Sequence, residues 1–225
     1  MRWNVGTALR RLSRLVTPMT LTETQIREYD GRAMDSAETA TATFGIGCFW
    51  GPDARFGAID GVVRTRVGYA GGTKIDPTYH SLGDHTEVFQ LEFDPDAIPY
   101  RDLLSQVFHS HDPQHQTRKT QYQNIVFAAT EDQQAVLDEF LSTRGPTAEG
   151  VGTRVEQPSR FYPAEDYHQK YKLRSVSSFM DAFDAVGYGD EELRESPIAA
   201  KLNGYAAGHD VAVAEELPSP DRRPA

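Results

Sequence analysis

The sequence predicts an α+β fold: a single two-layer, sandwich-like α/β domain in which helices pack on a mixed sheet. Three observations carry this reading. Strand-like and helix-like patterns interleave along residues 41–189. The connections between them are short, as antiparallel pairing allows. The chain has 225 residues, and about 150 folded residues already hide roughly two-thirds of their surface, so a core forms without covalent staples. Length and composition further divide the chain into three parts: a flexible basic arm and linker over 1–40, the folded domain over 41–189, and an acidic C-terminal extension over 190–225, partly disordered.

The elements follow in order. Thr41 to Gly47 reads as a short buried strand, and Trp50 to Ala58 as a helix with Pro52 in its first turn. Val62 to Gly68 reads as a strand that ends in the turn Gly68-Tyr69-Ala70-Gly71-Gly72. His85 to Asp94 alternates with period two: Glu87, Phe89, Leu91 and Phe93 share one face, and Val88, Gln90 and Glu92 the other. Pro99 to His109 is an amphipathic helix, and Tyr122 to Ala128 another strand. Thr130 with Gln133 forms a capping box for a helix that stops at Gly145-Pro146. Residues 170–185 read as helical. Beyond Gly189 the composition is acidic and ends in Pro-Ser-Pro-Asp-Arg-Arg-Pro-Ala, which predicts disorder.

Composition excludes several functions. The net charge of −10 opposes binding to nucleic acid or anionic membrane, both polyanions. No apolar run approaches the ~20 residues that span a bilayer. Four arginines and no acid precede Glu23, but arginines interrupt every apolar stretch there, so no secretory signal is predicted. The single cysteine, Cys48, excludes an internal disulfide and a cysteine-rich zinc site. It fits a reducing, cytoplasmic compartment. His109, His111 and His115 lie close together, but no cysteine or carboxylate pattern completes a metal site. Gly45-Ile46-Gly47 with Gly51 imitates a dinucleotide loop, yet its spacing is GxGxxxG with Trp50 where a phosphate would lie.

The chemistry concentrates in Gly47-Cys48-Phe49-Trp50-Gly51. A lone cysteine is often small, buried and inert. Here it sits between a strand end and a helix start, where free backbone N–H groups and the helix dipole predict a lowered thiol pKa. Gly47 and Gly51 leave room for backbone and ligand to come close to the sulfur. Phe49 and Trp50 fit either an ordinary core or an apolar wall for a methyl group. Glu87 shares the inward face of its strand with Phe89, Leu91 and Phe93, so desolvation is expected to raise its pKa and keep a donatable proton on it. The alternative is a strand-end glutamate still reached by water.

These residues resemble a family, the A-type peptide methionine sulfoxide reductases, in a one-cysteine variant. Gly47-Cys48-Phe49-Trp50-Gly51 carries the likeness, supported by Arg66-Val67-Gly68-Tyr69-Ala70-Gly71-Gly72, Pro77-Thr78-Tyr79, His85-Thr86-Glu87, His111-Asp112-Pro113, Thr120-Gln121-Tyr122 and Phe161 through Gln169. The motifs keep the family's order over residues 43–175. The resemblance implies that Cys48 attacks the sulfur of methionine-S-sulfoxide. It implies that Glu87 protonates the oxygen, that Tyr79 and Tyr122 hydrogen-bond that oxygen, and that Phe49 and Trp50 hold the methyl group. Cys48 is left as a sulfenic acid. The substrate is free or protein-bound, the role repair of oxidised proteins, the chain a monomer, with no metal and no tightly bound cofactor.

The chain also departs from the family. Many members carry resolving cysteines; this chain has none, so an external thiol is required, either a small one such as glutathione or a thioredoxin- or glutaredoxin-type protein. Gly204-Tyr205-Ala206-Ala207-Gly208 echoes a Gly-Tyr-Cys-Gly tail with Ala206 in place of sulfur. The segments between Tyr79 and His85 and between Pro113 and Thr120 are short, and Thr117-Arg118-Lys119 stands where an aspartate is common. Two other readings share the residues: a thiol peroxidase using Cys48, told apart by its consumption of peroxide, and a binding module that holds oxidised methionine without turnover.

Overall fold

The period-two alternation over 85–94 becomes a strand because one of its faces can be buried, and the three other segments read as strands join it in one sheet. A computed structural model describes residues 21–35, 38–143, 152–157 and 160–211. Strands β1 (Ala40–Ile46), β2 (Val62–Ala70), β3 (Thr86–Phe93) and β4 (Asn124–Phe127) are joined by β5 (Arg154–Glu156) and β6 (Tyr162–Pro163) in a six-stranded sheet of order β5-β4-β1-β3-β2-β6. All neighbours pair antiparallel except β4 with β5, which are parallel, so the sheet is mixed and the fold α+β. Register places Phe44 opposite Phe89 and Tyr69 opposite Glu87.

Helices α2 (Trp50–Gly57), α3 (Tyr100–His109) and α4 (Glu131–Ser142) follow the predicted spans. Phe56, Leu103, Leu104, Val107, Leu137 and Phe140 cover one sheet face, against Phe44, Val67, Phe89, Leu91 and Phe93. Thr130 caps α4 by accepting from Gln133 N, but the Gln133 side chain reaches Ala129 N and Thr41 O, so half of the expected box forms. The predicted stop at Gly145-Pro146 lies outside the described residues.

Three expectations need correction. The arm and linker assigned to 1–40 contain a helix, α1 (Glu23–Asp35), whose Ile26 is fully buried; residues 1–20 lie outside the described set. The helix expected over 170–185 begins only at Ser177, as α5 (Ser177–Val186). Its intended first turn is diverted because Asn203 Oδ1 accepts both Lys172 N and Leu173 N at 3.0 Å, and Lys170 adopts a φ of 54°. Finally, the acidic extension folds after Gly189 into α6 (Asp190–Glu195) and α7 (Pro197–Ala206). Together α1, α5, α6 and α7 bury a second core of Ile26, Phe183, Leu193, Ile198 and Leu202. Only its last part, from residue 212, lies outside the described residues.

Helix α7 lies against α2, and glycine sets how close. A Cβ on Gly57 would stand 2.6 Å from Ala200 O, and one on Gly204 2.7 Å from Ala54 O. Buried Asp53 of α2 accepts from Asn203 Nδ2 at 2.9 Å and from Thr65 Oγ1 at 2.5 Å, with the buried Lys170 ammonium 3.9 Å away. Helix α2 is thereby held to α7, to β2 and to the segment after His168. Among the described residues no helix is long and apolar enough to cross a membrane.

Candidate active site

Cys48 occupies the turn from β1 to α2. Gly47 makes that turn with a φ of +90°, a conformation an L side chain avoids. A Cβ on Gly51 would meet no protein atom within 4 Å, so the space beside it is open. The turn directs Phe49 N toward β3, where it donates to Glu87 Oε2 at 3.2 Å. Glu87 is buried at the inner end of the face it shares with Phe89, Leu91 and Phe93. Its other oxygen accepts from Gln121 Nε2 at 2.7 Å.

Burial pushes the Glu87 carboxyl above its ordinary value, against the opposing pull of Gln121, Phe49 N and the Lys119 charge. This matches the expectation for an inward acid. The Cys48 thiol departs from expectation, for its pKa is raised rather than lowered. The residue is exposed, but partial desolvation of its sulfur acts first and the Glu87 charge adds to it. Trp50 N–H and Lys172 pull the other way without prevailing. A helix N-terminus does lower a thiol pKa, but here an acid faces it.

Tyr79 and Tyr122 complete this end of the site. Their hydroxyls are hydrogen-bonded, and burial together with the Glu87 charge lifts Tyr122 to about 12. The Tyr122 phenol therefore keeps its proton at neutral pH. Tyr79 is held from behind, its N–H donating to Glu165 Oε1 at 2.9 Å, while Glu165 Oε2 accepts from Tyr69 Oη at 2.7 Å. Burial pushes Glu165 up, but these donors and nearby His168 outweigh it and hold the carboxyl below its usual range.

Phe49 and Trp50 are joined by residues the sequence quoted without a role. Trp50 Nε1–H donates to His168 Nδ1 at 3.0 Å, which places the ring proton of a neutral His168 on Nε2. Burial lowers the His168 pKa and keeps it neutral. The Phe49, Trp50, Tyr79 and Tyr167 rings all lie within 5.6 Å of His168, centre to centre. Tyr171 stacks on Trp50 at 3.8 Å. Gln169 fixes the whole segment to β2 by accepting from Val67 N and donating to Val67 O and Ala164 O. His168 and Gln169 stand in an irregular stretch without periodicity, and Gln121 in a three-residue turn; membership of the quoted motifs was the only signal for them.

One thiol, one inward acid, two phenols and an aromatic wall thus meet at the end of β1. The family described as peptide methionine sulfoxide reductase matches residues 40–189. The chain belongs to this family. It is an oxidoreductase by that membership. The chain is 41% identical to a peptide methionine sulfoxide reductase of Drosophila melanogaster over 174 residues, covering 75% of this chain and 69% of the relative. It is 40% identical to one of Arabidopsis thaliana over 177 residues, covering 74% of this chain and 68% of that one. In structure it is similar to methionine sulfoxide reductase A of Corynebacterium diphtheriae, with a TM-score of 0.52 and 28% identity, over 60% of this chain and 74% of that one. The sheet that places Cys48 opposite Glu87 lies within the matched residues.

Proposed function

We propose that this reductase converts methionine-S-sulfoxide, free or in oxidised proteins, to methionine through a Cys48 sulfenic acid, and that an external thiol regenerates it. The observation that carries the reading is the facing of Cys48 by a protonatable acid, Glu87, which receives the N–H of the residue next to the cysteine. Cys48 Sγ, as thiolate, attacks the sulfoxide sulfur. Glu87 gives its proton to the oxygen, whose developing charge the Tyr79 and Tyr122 hydroxyls also meet. Phe49 and Trp50 enclose the methyl group, and Trp50 keeps its orientation through His168. The protonated oxygen then passes from the substrate sulfur to the Cys48 sulfur as the bond between the two sulfurs breaks, so methionine leaves as the sulfide and Cys48 becomes the sulfenic acid, two electrons more oxidised.

Protonation couples the two groups. A charged Glu87 raises the Cys48 thiol pKa, so a proton on Glu87 makes the thiolate easier to form. The acid and the nucleophile become competent together. The chain contains one cysteine, so no second thiol of its own can condense with the sulfenic acid. Repair of oxidised proteins in a reducing cytoplasm is the setting this chemistry fits.

The test is one turnover of the isolated protein with methionine-S-sulfoxide and no reductant, followed by mass spectrometry after trapping with a sulfenic-acid reagent. One oxygen on Cys48 and one methionine per chain are expected, and none of either in Cys48→Ser. Methionine release by Cys48→Ser would end the proposal.

A further inference from the structure

Lysine is scarce in this chain, five of 23 basic residues. Lys170 and Lys201 are buried with their ammonium groups on backbone carbonyls: Thr65 O and Arg194 O for the first, Ile59 O and Val62 O for the second. Lys74 donates to Ser81. The other two border the site. Lys119 Nζ stands 4.3 Å from the centre of the Tyr122 ring. Lys172 Nζ stands 6.0 Å from that of Tyr171, which is stacked on Trp50.

Neither Lys119 nor Lys172 has an ion-pair partner among the described residues, whereas Arg64, Arg66, Arg154, Arg174 and Arg194 each pair with an acid. The nearby carboxylates are occupied, Glu87 by Gln121 and Phe49 N, Glu165 by Tyr69 and Tyr79. A chain of net charge −10 thus has two lysine ammonium groups bordering this site, one over Tyr122 and one beside Tyr171, without an ion-pair partner among the described residues. Their fields reach the chemistry, Lys172 favouring the charged form of Cys48 and Lys119 that of Glu87.

We propose that Lys119 and Lys172 form the receiving site for a small thiol reductant that carries carboxylates. This rests on the sulfenic-acid reading above and names the partner it requires. A small anion feels the two nearby ammonium groups, because charges beyond about 10 Å are screened at ordinary ionic strength. A protein reductant would meet a chain of net charge −10 over a whole interface. In the first step the reductant's sulfur bonds to the Cys48 sulfur, the S–O bond breaks, and the hydroxyl leaves with the thiol proton as water. A second molecule attacks the mixed disulfide at the reductant's sulfur, which returns the Cys48 thiol and leaves the small disulfide. The two reductant molecules supply the two electrons.

The test oxidises Cys48 to sulfenic acid with one equivalent of hydrogen peroxide and follows its loss with mercaptosuccinate, neutral mercaptoethanol or cationic cysteamine, each rate corrected for its thiolate fraction. The anionic-to-neutral ratio is expected to be roughly tenfold at low salt, with cysteamine slowest. It should fall toward one at ~1 M salt, where the screening length is about 3 Å. In the Lys119→Glu/Lys172→Glu protein the ratio should fall below one, and taking it within each protein cancels changes in the sulfur's own reactivity. A ratio indifferent to salt and to both substitutions would overturn the proposal, as would resolution by thioredoxin alone. Oxidation of Cys48 by peroxide but never by methionine-S-sulfoxide would instead remove the underlying function.

Discussion

At the scale of single residues the site is governed by two groups whose preferences oppose one another. In the proposed mechanism Glu87 carries a proton to act and Cys48 loses one. Burial raises the first; desolvation and the Glu87 charge raise the second. The Cys48 pKa starts from 9.0 and moves up, while Glu87 moves up from 4.5, so the acid's pKa is the lower of the two. The sign of the pH dependence follows. Below the Glu87 pKa the acid is ready but thiolate grows tenfold per pH unit; between the two pKa values the competent fraction is level; above that of Cys48 the thiolate is complete and the acid keeps losing its proton. We therefore expect kcat/KM for methionine-S-sulfoxide to rise through the raised Glu87 pKa, level, and fall above that of Cys48. Glu87→Gln should lower the plateau by roughly 10²- to 10⁴-fold. It should also replace the bell by a single rise and bring the thiolate absorbance in at lower pH, since one repelling charge is gone. A Glu87→Gln enzyme that kept the full bell would assign the acid limb elsewhere.

At the scale of elements, the helix that presents Cys48 is fixed from outside the matched family region. Helix α7 approaches α2 through Gly57 and Gly204, and Asn203 caps Lys172 and Leu173 while reaching Asp53. Glycine in a helix interior costs ~1 kcal/mol relative to alanine when space is open. Space decides the sign here. Gly204→Ala would put a methyl 2.7 Å from both Ala54 O and Ala58 Cβ, an overpacking that costs about 1–3 kcal/mol. Gly51→Ala meets nothing within 4 Å and should gain roughly 0.5–1 kcal/mol. Urea midpoints moving in opposite directions are expected, and a Gly204→Ala protein as stable as the parent would show that α7 yields. The local signals for α7 were present in the sequence: Ser196 caps it and Pro197 opens it. They were outweighed by the acidic run before it, whose composition resembles a solvated tail. The alternation in β3, by contrast, was legible because one strand carries both the core and the proposed acid on a single face. The start of α5 was not legible, since the Asn203 carbonyl that takes the N–H groups of Lys172 and Leu173 lies some thirty residues away.

At the scale of the whole molecule, two cores share one catalytic helix, and the second reverses the sequence's division of the chain at Gly189. Motif order pointed to Cys48, Glu87, Tyr79 and Tyr122 as the proposed site because their strands and turns are local. The sign of the Cys48 shift could not be read locally, since it depends on what surrounds the sulfur. Nor could the dependence of α2 on residues 190–206. Those residues bury Leu193, Ile198 and Leu202, each worth about 1.5–3 kcal/mol when removed from water. They also hold Arg66 through Glu195, and the carbonyls of Ile59 and Val62 through Lys201. The sum rivals the ~5–15 kcal/mol total stability of an ordinary domain. A chain ending at Gly189, although it keeps every residue of the site, is therefore expected to lose cooperative unfolding and sulfoxide reduction together, because Asp53 loses Asn203 and Lys172 and Leu173 lose their acceptor. A chain ending at Val211 keeps all of these contacts and should retain the parent's urea midpoint and rate. Circular dichroism in urea beside single-turnover methionine release separates the cases: a Gly189 truncation that folds cooperatively and turns over normally would show α6 and α7 to be passengers, and the family region to be sufficient alone.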